Sequence, residues 1–200
     1  MHADARPLPN PPSRADVMGM PATHDFWTAD MVRALPRDGK RYETVHGELL
    51  VSPSPRPLHE FVLQRLALRL GIYLLAHPVG VLCSTAADIS WGPDILVQPD
   101  LFVVDTEQAR TLDWANMTTL LLTAEVLSPS SLRADRFAKR TLYQRAGVAL
   151  YWIVDADARS VEVWTPDARF PATERDVLRW SPAGATRDFE LTLDDLFAPI

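Results

Sequence analysis

Apolar positions along the chain switch several times between a period near 3.6 and a period of 2, and those switches mark out its elements. In DFWTADMVRALP, Met31, Val32 and Leu35 fall on one side, Thr28 can cap and Pro36 can stop, so a short helix is expected. RYETVHGELLVSP alternates about Gly47 and predicts a hairpin or two short strands, with Glu43 and Glu48 as its acids. From Pro57 to Ala76 the spacing is helical, and Pro57 suits a first turn. Leu58, Val62, Leu66, Leu70 and Leu74 form one stripe, which Phe61, Leu63, Leu68 and Leu75 widen. That much apolar surface predicts a helix largely packed against a sheet. VGVLCSTAADISWGPDILVQPDLFVVD reads as two or three strands broken at Trp91-Gly92-Pro93-Asp94, and Thr106 to Thr119 as a polar loop with one helical turn.

LLLTAEV is mostly apolar without alternation, which predicts a central strand buried on both faces. VLSPSS then turns the chain into a helix that Ser130 or Ser131 can cap, running to Ala146 and stopped by Gly147. ALYWIVD and SVEVWTP follow as strands, joined at Asp157-Ala158-Arg159 tightly enough to make an antiparallel pair. Tyr151 and Trp152 face opposite sides of the first strand, so one is expected in the core and the other near the helix or a dimer contact. After Arg169, short strands such as DVLRW alternate with turns and LTLDDLF makes a small closing helix, with Trp180 and Phe189 as packing residues. Residues 1–24 hold Pro7, Pro9, Pro11, Pro12 and Pro21 with little periodicity and read as a disordered arm before a single domain at 25–200.

Composition narrows the classes. Two hundred residues, 47% of them hydrophobic, suffice for one well-filled core. No apolar stretch reaches membrane-spanning length, and no basic-then-apolar signal opens the chain, so a cytoplasmic location is expected. Cys83 is the only cysteine, which excludes an intramolecular disulfide and a cysteine zinc site; beside Val81 and Leu82 it reads as a buried structural thiol. Lys and Arg total 20 against 26 Asp and Glu, a net charge of −6, so any DNA contact is expected to be weak or local. GxxxxGK, GxGxxG, HExxH and GxSxG patterns are all missing, which removes the usual support for nucleotide hydrolysis, dinucleotide redox, zinc-protease and serine-hydrolase chemistry.

The charged residues inside apolar runs carry the candidate chemistry. An ionised carboxylate in a strand such as LLLTAEV is costly unless compensated, so Glu125 needs a cation, and a metal is the simplest one. Asp100, heading the strand LFVV, poses the same question. Two hard oxygen ligands completed by carbonyls, water and phosphate suit Mg²⁺, with Mn²⁺ as a substitute. Lys139 on the following helix would then supply positive charge near an attacking water or a phosphate. Sheet-end carboxylates facing water and a solvated lysine are the plainer alternative. Asp135, Lys139 and Tyr143 share a helix face at i, i+4 and i+8, where Asp135 either makes a surface ion pair or positions the lysine. Arg133, Arg136 and Arg140 form a basic stripe that could hold DNA phosphates or simply face solvent. Glu48 is either a third acid or an exposed strand residue. His59 either contacts phosphate and orients water or caps its helix, and Asp88 is more naturally a solvent-facing strand residue than a metal-side acid.

QPDLFVV, AEVLSPSS, DRFAKRTLYQRAGV and YWIVD together resemble the bacterial Uma-two endonuclease family, a branch of the PD-(D/E)xK nuclease superfamily, over roughly residues 25 to 167. The resemblance implies an α/β fold with a restriction-endonuclease-like core, in which a mixed central sheet is flanked by helices. It also implies an endonuclease dependent on Mg²⁺ that hydrolyses DNA phosphodiester bonds, with Asp100 and Glu125 as metal ligands and Glu48, in a GEL triplet typical of the family, as a further acid. In the usual superfamily motif a lysine lies two residues after the second acid, where this chain has Leu127, so the resemblance shifts that role to Lys139. Leu150 stands where the family tends to carry an acid. A homodimer is expected. The rival is a binding or scaffold module that keeps the nuclease fold without turnover and dimerises through its C-terminal strands.

Overall fold

In the computed structural model, which describes residues 26–199 apart from 85 and 86, the chain alternates short helices with twelve strands among the described residues. The arm expected at 1–24 lies outside them. Helix α1 (Ala29–Arg33) starts where Thr28 accepts a 3.3 Å hydrogen bond from the Met31 amide. Strands β1 (Arg41–Val45) and β2 (Glu48–Ser52) form a hairpin whose two turn residues, His46 and Gly47, both have positive φ. That is the turn whose twist suits a hairpin, and Gly47 is doubly required there because a Cβ would run into the Phe26 ring.

Helix α2 (Pro57–Ala76) is followed by β3 (Val81–Cys83), β4 (Ile89–Gly92), β5 (Ile95–Val97) and β6 (Leu101–Val104). Next come the short α3 (Thr106–Ala109), a single 3₁₀ turn at Trp114–Asn116, and β7 (Leu120–Val126). Beyond β7 the chain forms a π-helix (Ala134–Lys139) running directly into α4 (Arg140–Arg145). Strands β8 (Tyr151–Asp155), β9 (Ser160–Trp164), β10 (Ala172–Glu174), β11 (Val177–Trp180) and β12 (Phe189–Thr192) and helix α5 (Leu193–Leu196) complete it.

Six strands make the central sheet in the order β10-β9-β8-β7-β6-β3. Only β7 and β8 pair in parallel, with the helical segment between them as the crossover, so the sheet is mixed. A smaller sheet has the order β2-β1-β5-β4, and β11 pairs with β12 alone. β7 is the central strand that its composition demanded. Leu122, Ala124 and Val126 face α2 on one side, and Glu125 belongs to the side covered by the π-helix and α4. Trp152 and Tyr151 are both core residues, one in each of the two clusters that sandwich β8, so neither is left for a dimer contact.

α2 is packed along a narrower band than its composition indicated. Val62, Leu66, Leu70 and Leu74, one every four residues, are buried, whereas Leu58, Phe61, Leu68 and Leu75 are exposed. A single sheet face can cover only one side of a cylinder, so Phe61, Leu68 and Leu75 remain outside while Leu63 packs at the margin of the core. Two substitutions on the same helix separate these environments. Leu66→Ala should cost about 2–5 kcal/mol in urea unfolding, and Leu68→Ala should stay within about 0.5 kcal/mol of wild type.

Candidate active site

The chain passes from the small sheet to the large one through Gln98-Pro99-Asp100, between β5 and β6. This crossing puts Asp100 at the end of β6 that lies beside the end of β7, where Leu101 pairs with Ala124. The Asp100 amide points to Glu125 Oε2 at 3.4 Å, and the Val126 amide donates to Asp100 Oδ2 at 2.9 Å. The two acids, far apart in sequence, therefore meet at one sheet edge. Pro57 opens α2 nearby, and His59 in its first turn brings Nε2 to 3.0 Å from Asp100 Oδ2. Arg41 on β1 donates from Nη1 to Asp100 Oδ1 at 2.6 Å and to the Gln98 carbonyl at 3.0 Å.

Lys139 makes the other half of the site. Its ammonium lies 2.8 Å from Glu43, 3.0 Å from Glu125 and 3.6 Å from Asp135, and all four side chains are buried. Tyr143, one turn on, donates its hydroxyl to Glu125 Oε1 at 3.0 Å, and Tyr151 donates to the Asp135 carbonyl at 3.2 Å. The expected single helix from Ser131 to Ala146 is interrupted here. The Arg140 amide reaches back to the Asp135 carbonyl, the wide i→i+5 turn of a π-helix, a form concentrated at functional sites. Gly147, with φ of 73°, ends α4 as the sequence indicated.

Leu127, at the position where the superfamily motif carries its lysine, is buried among apolar side chains. The ammonium beside Glu125 is that of Lys139, on the next helix. The cation that buried Glu125 requires is supplied by Lys139 at 3.0 Å, so burial alone does not argue for a metal.

Glu48 is corrected by the structure. It pairs with Val45 at the hairpin tip and is exposed, lining a separate groove of about 580 Å³ with Arg133 and Phe137. The third acid beside the lysine is Glu43, two residues before Val45 on β1 and on the same strand face. Its Oε1 accepts from the Gln98 amide at 2.7 Å and its Oε2 faces Lys139. The basic stripe also dissolves. Arg136 pairs with Asp155 at 3.2 Å and Glu162 at 2.7 Å, and Arg140 lies over the Trp164 ring at 4.8 Å, so both guanidiniums serve the β8-β9 hairpin. Arg133 stays exposed, outside the cleft. Asp88 pairs with Arg33 at 3.3 Å and accepts from Gln98, away from the acids.

Asp100, Glu125, Lys139, Arg41 and His59 line one cleft of about 240 Å³, joined by Asp135 and the hydroxyls of Ser52, Ser54, Ser128 and Ser131. Burial pushes the Asp100 carboxyl up, but His59 and Arg41 outweigh it and hold the group well below the usual carboxylate range. Burial also opposes charge on Lys139, yet Glu125, Glu43 and Asp135 keep its pKa above normal. The Glu125 carboxyl is pushed well up by burial, with Lys139 opposing and the neighbouring acids adding. Among the described residues no group of three His, Cys, Asp or Glu side chains is arranged to hold a metal. The donor chemistry nevertheless fits a hard divalent cation of the magnesium type, which takes one or two carboxylates and fills its remaining positions with water and phosphate.

Asp135 is raised from 3.8 to about 6, chiefly by burial and against the pull of Lys139 and Ser131. A carboxyl with its folded pKa above its unfolded value keeps its proton longer in the native state. Its stabilising contribution is therefore present at low pH and lost as pH rises through about 6. Urea unfolding of Asp135→Asn, set against wild type, should shift in the variant's favour by about 1–3 kcal/mol between roughly pH 4 and pH 7. A difference independent of pH would mean that Asp135 does not titrate abnormally.

The fold has a solved counterpart. A nuclease-like protein from Anabaena variabilis ATCC 29413, titled a "putative nuclease belonging to DUF820", superposes with a TM-score of 0.72 at 21% identity, covering 86% of this chain and 98% of the other. No curated protein matches the chain. The Uma2 family model, described as "Putative restriction endonuclease", matches residues 29–194, and with most of the chain so covered, the protein belongs to the Uma2 family.

Proposed function

We propose that the protein is a metal-dependent endonuclease that hydrolyses DNA phosphodiester bonds at the cleft between its two sheets. The observation that carries this reading is the convergence of Asp100, Glu125 and Lys139, drawn from two strands and the crossover helix, on one solvent-accessible cleft. Family membership supplies the reaction class, and the fold of the Anabaena protein agrees with it.

Asp100 and Glu125 would hold a Mg²⁺ ion, or Mn²⁺ in its place. When bound, such an ion lowers the pKa of a coordinated water and neutralises charge on the phosphate. Lys139, fixed by Glu43 and Asp135, keeps a permanent positive charge at Glu125 and stabilises negative charge developing on the phosphate. His59 holds Asp100 from the buried side and orients its carboxylate. Tyr143, whose hydroxyl is kept protonated by burial and by Glu125, fixes the Glu125 carboxylate as a donor. Glu43 belongs to the same machinery as the group that positions Lys139.

With its net charge of −6, the protein would engage DNA through local contacts. A dimer would add a second cleft and is part of the same proposal. The saturation of the carboxylates by protein cations favours one alternative, a nuclease-fold scaffold without turnover. Plasmid nicking in Mg²⁺ decides between them. Asp100→Asn, Glu125→Gln and Lys139→Met should each lower the nicking rate by about 100-fold or more. Glu43→Gln should also impair it, whereas Glu48→Gln should nick within about twofold of wild type. Equal nicking by wild type and Glu125→Gln, or none by either, rules out this site as the source of cleavage.

A further inference from the structure

Two strong cations serve the acids of the cleft, and they are held very differently. Lys139 is locked among Glu43, Glu125 and Asp135 and is almost wholly buried. Arg41 has 28% of its side chain exposed, while the Asp100 carboxylate that it touches has 3%. Asp100 divides its partners by oxygen. Oδ2 faces inward, to the His59 ring and the Val126 amide. Oδ1 has Arg41 as its partner, at 2.6 Å. The inward pair consists of a ring that is almost wholly buried and a backbone amide of β7. Arg41 can leave by rotating a flexible side chain toward the mouth of the cleft that it lines.

On the reading that Asp100 and Glu125 hold a divalent ion, we infer that Arg41 occupies the cation position at Asp100 Oδ1 in the free protein and moves to the substrate phosphate when the ion takes its place. A divalent cation bound at Oδ1 would lie close to the guanidinium with like charge, and that repulsion favours arrangements in which only one of the two stays there. Release of Arg41 leaves a planar fork of donors at the cleft mouth, and that geometry matches a phosphate's oxygens. Each event favours the other. DNA that captures Arg41 frees Asp100 Oδ1 for metal, and metal at Oδ1 frees Arg41 for DNA, so the two affinities rise together by the same factor. In the absence of DNA the protein keeps its own counter-ion and holds metal weakly. Arg41 thereby becomes a phosphate-binding residue, a role that its position early in a hairpin strand did not disclose.

The inference is tested by Mn²⁺ binding, read from the electron paramagnetic resonance signal of the free ion, so the measurement does not depend on turnover. Without DNA, Arg41→Met should bind Mn²⁺ about tenfold more tightly than wild type. Arg41→Gln, which keeps a donor for Asp100 but no charge, should behave the same and covers the case in which the methionine variant does not fold. Arg41→Lys keeps the charge and should stay close to wild type. A short DNA duplex protected by phosphorothioates should tighten Mn²⁺ binding to wild type by a similar factor and leave Arg41→Met unchanged. On unprotected plasmid, Arg41→Met should nick more slowly despite its tighter metal. Unchanged or weaker Mn²⁺ binding by both folded neutral variants overturns the inference; if wild type still nicks through Glu125, the nuclease reading stands without it. No Mn²⁺ bound by any of these proteins, together with no nicking by wild type, removes both.

Discussion

One buried ammonium holds the site together. Lys139 draws Glu43 from the small sheet, Glu125 from the central strand of the large sheet and Asp135 from its own helix into contact with a single charge. None of these groups could be buried alone, since the desolvation of one unpaired ion is several kcal/mol. Buried together they are mutually dependent, and taking away one partner of such a pair typically costs about 3–5 kcal/mol. The two sheets and the crossover helix are thereby fastened at one point, and that point is the cleft.

Local irregularities of the chain make sense around this fastening. Asp135 and Lys139 both face inward from the π-helical segment, and Tyr143, farther along, reaches Glu125. The crossing at Gln98-Pro99-Asp100 serves both halves of the network, because the Gln98 amide binds Glu43, the Gln98 carbonyl binds Arg41 and the Asp100 amide faces Glu125. Asp100 is then completed by Arg41 and His59. The carboxylates are consequently supplied with counter-charge by side chains from β1, α2 and the crossover helix before any external ion is considered. A site built in this way balances its own charges, and any external cation would have to compete with its internal partners.

Much of the architecture was legible from pattern. The unbroken apolar character of LLLTAEV marked the central strand, the four-residue repeat from Leu58 to Leu74 marked the long helix, and the alternation about Gly47 marked a hairpin or two short strands. The placement of Asp100, Glu125, Lys139 and His59 on their elements could also be read, and their order along the chain carried the family likeness. Where composition misled, the reason was geometric. The wide apolar surface of α2 predicts packing all along it, but a sheet covers one side of a helix only. The arginines after Ser131 were spaced like a stripe, but Arg136 and Arg140 met carboxylate and indole partners on β8 and β9.

The choice of third acid marks the boundary between the two kinds of information. Glu43 and Glu48 cannot be distinguished by alternation, since Glu43 pairs with Leu50 and Val45 with Glu48, and cross-strand partners share a face. Which of them meets the lysine depends on distance from the hairpin tip and on where β1 lies against β5, a non-local contact that leaves no periodic trace. Arg41 was hidden for the same reason, as its partner Asp100 lies 59 residues away. Local period and the cost of burying charge dictate most of the elements and the acids and lysine they carry. Which charges meet is set by strands brought together from distant parts of the chain, and no local pattern encodes that.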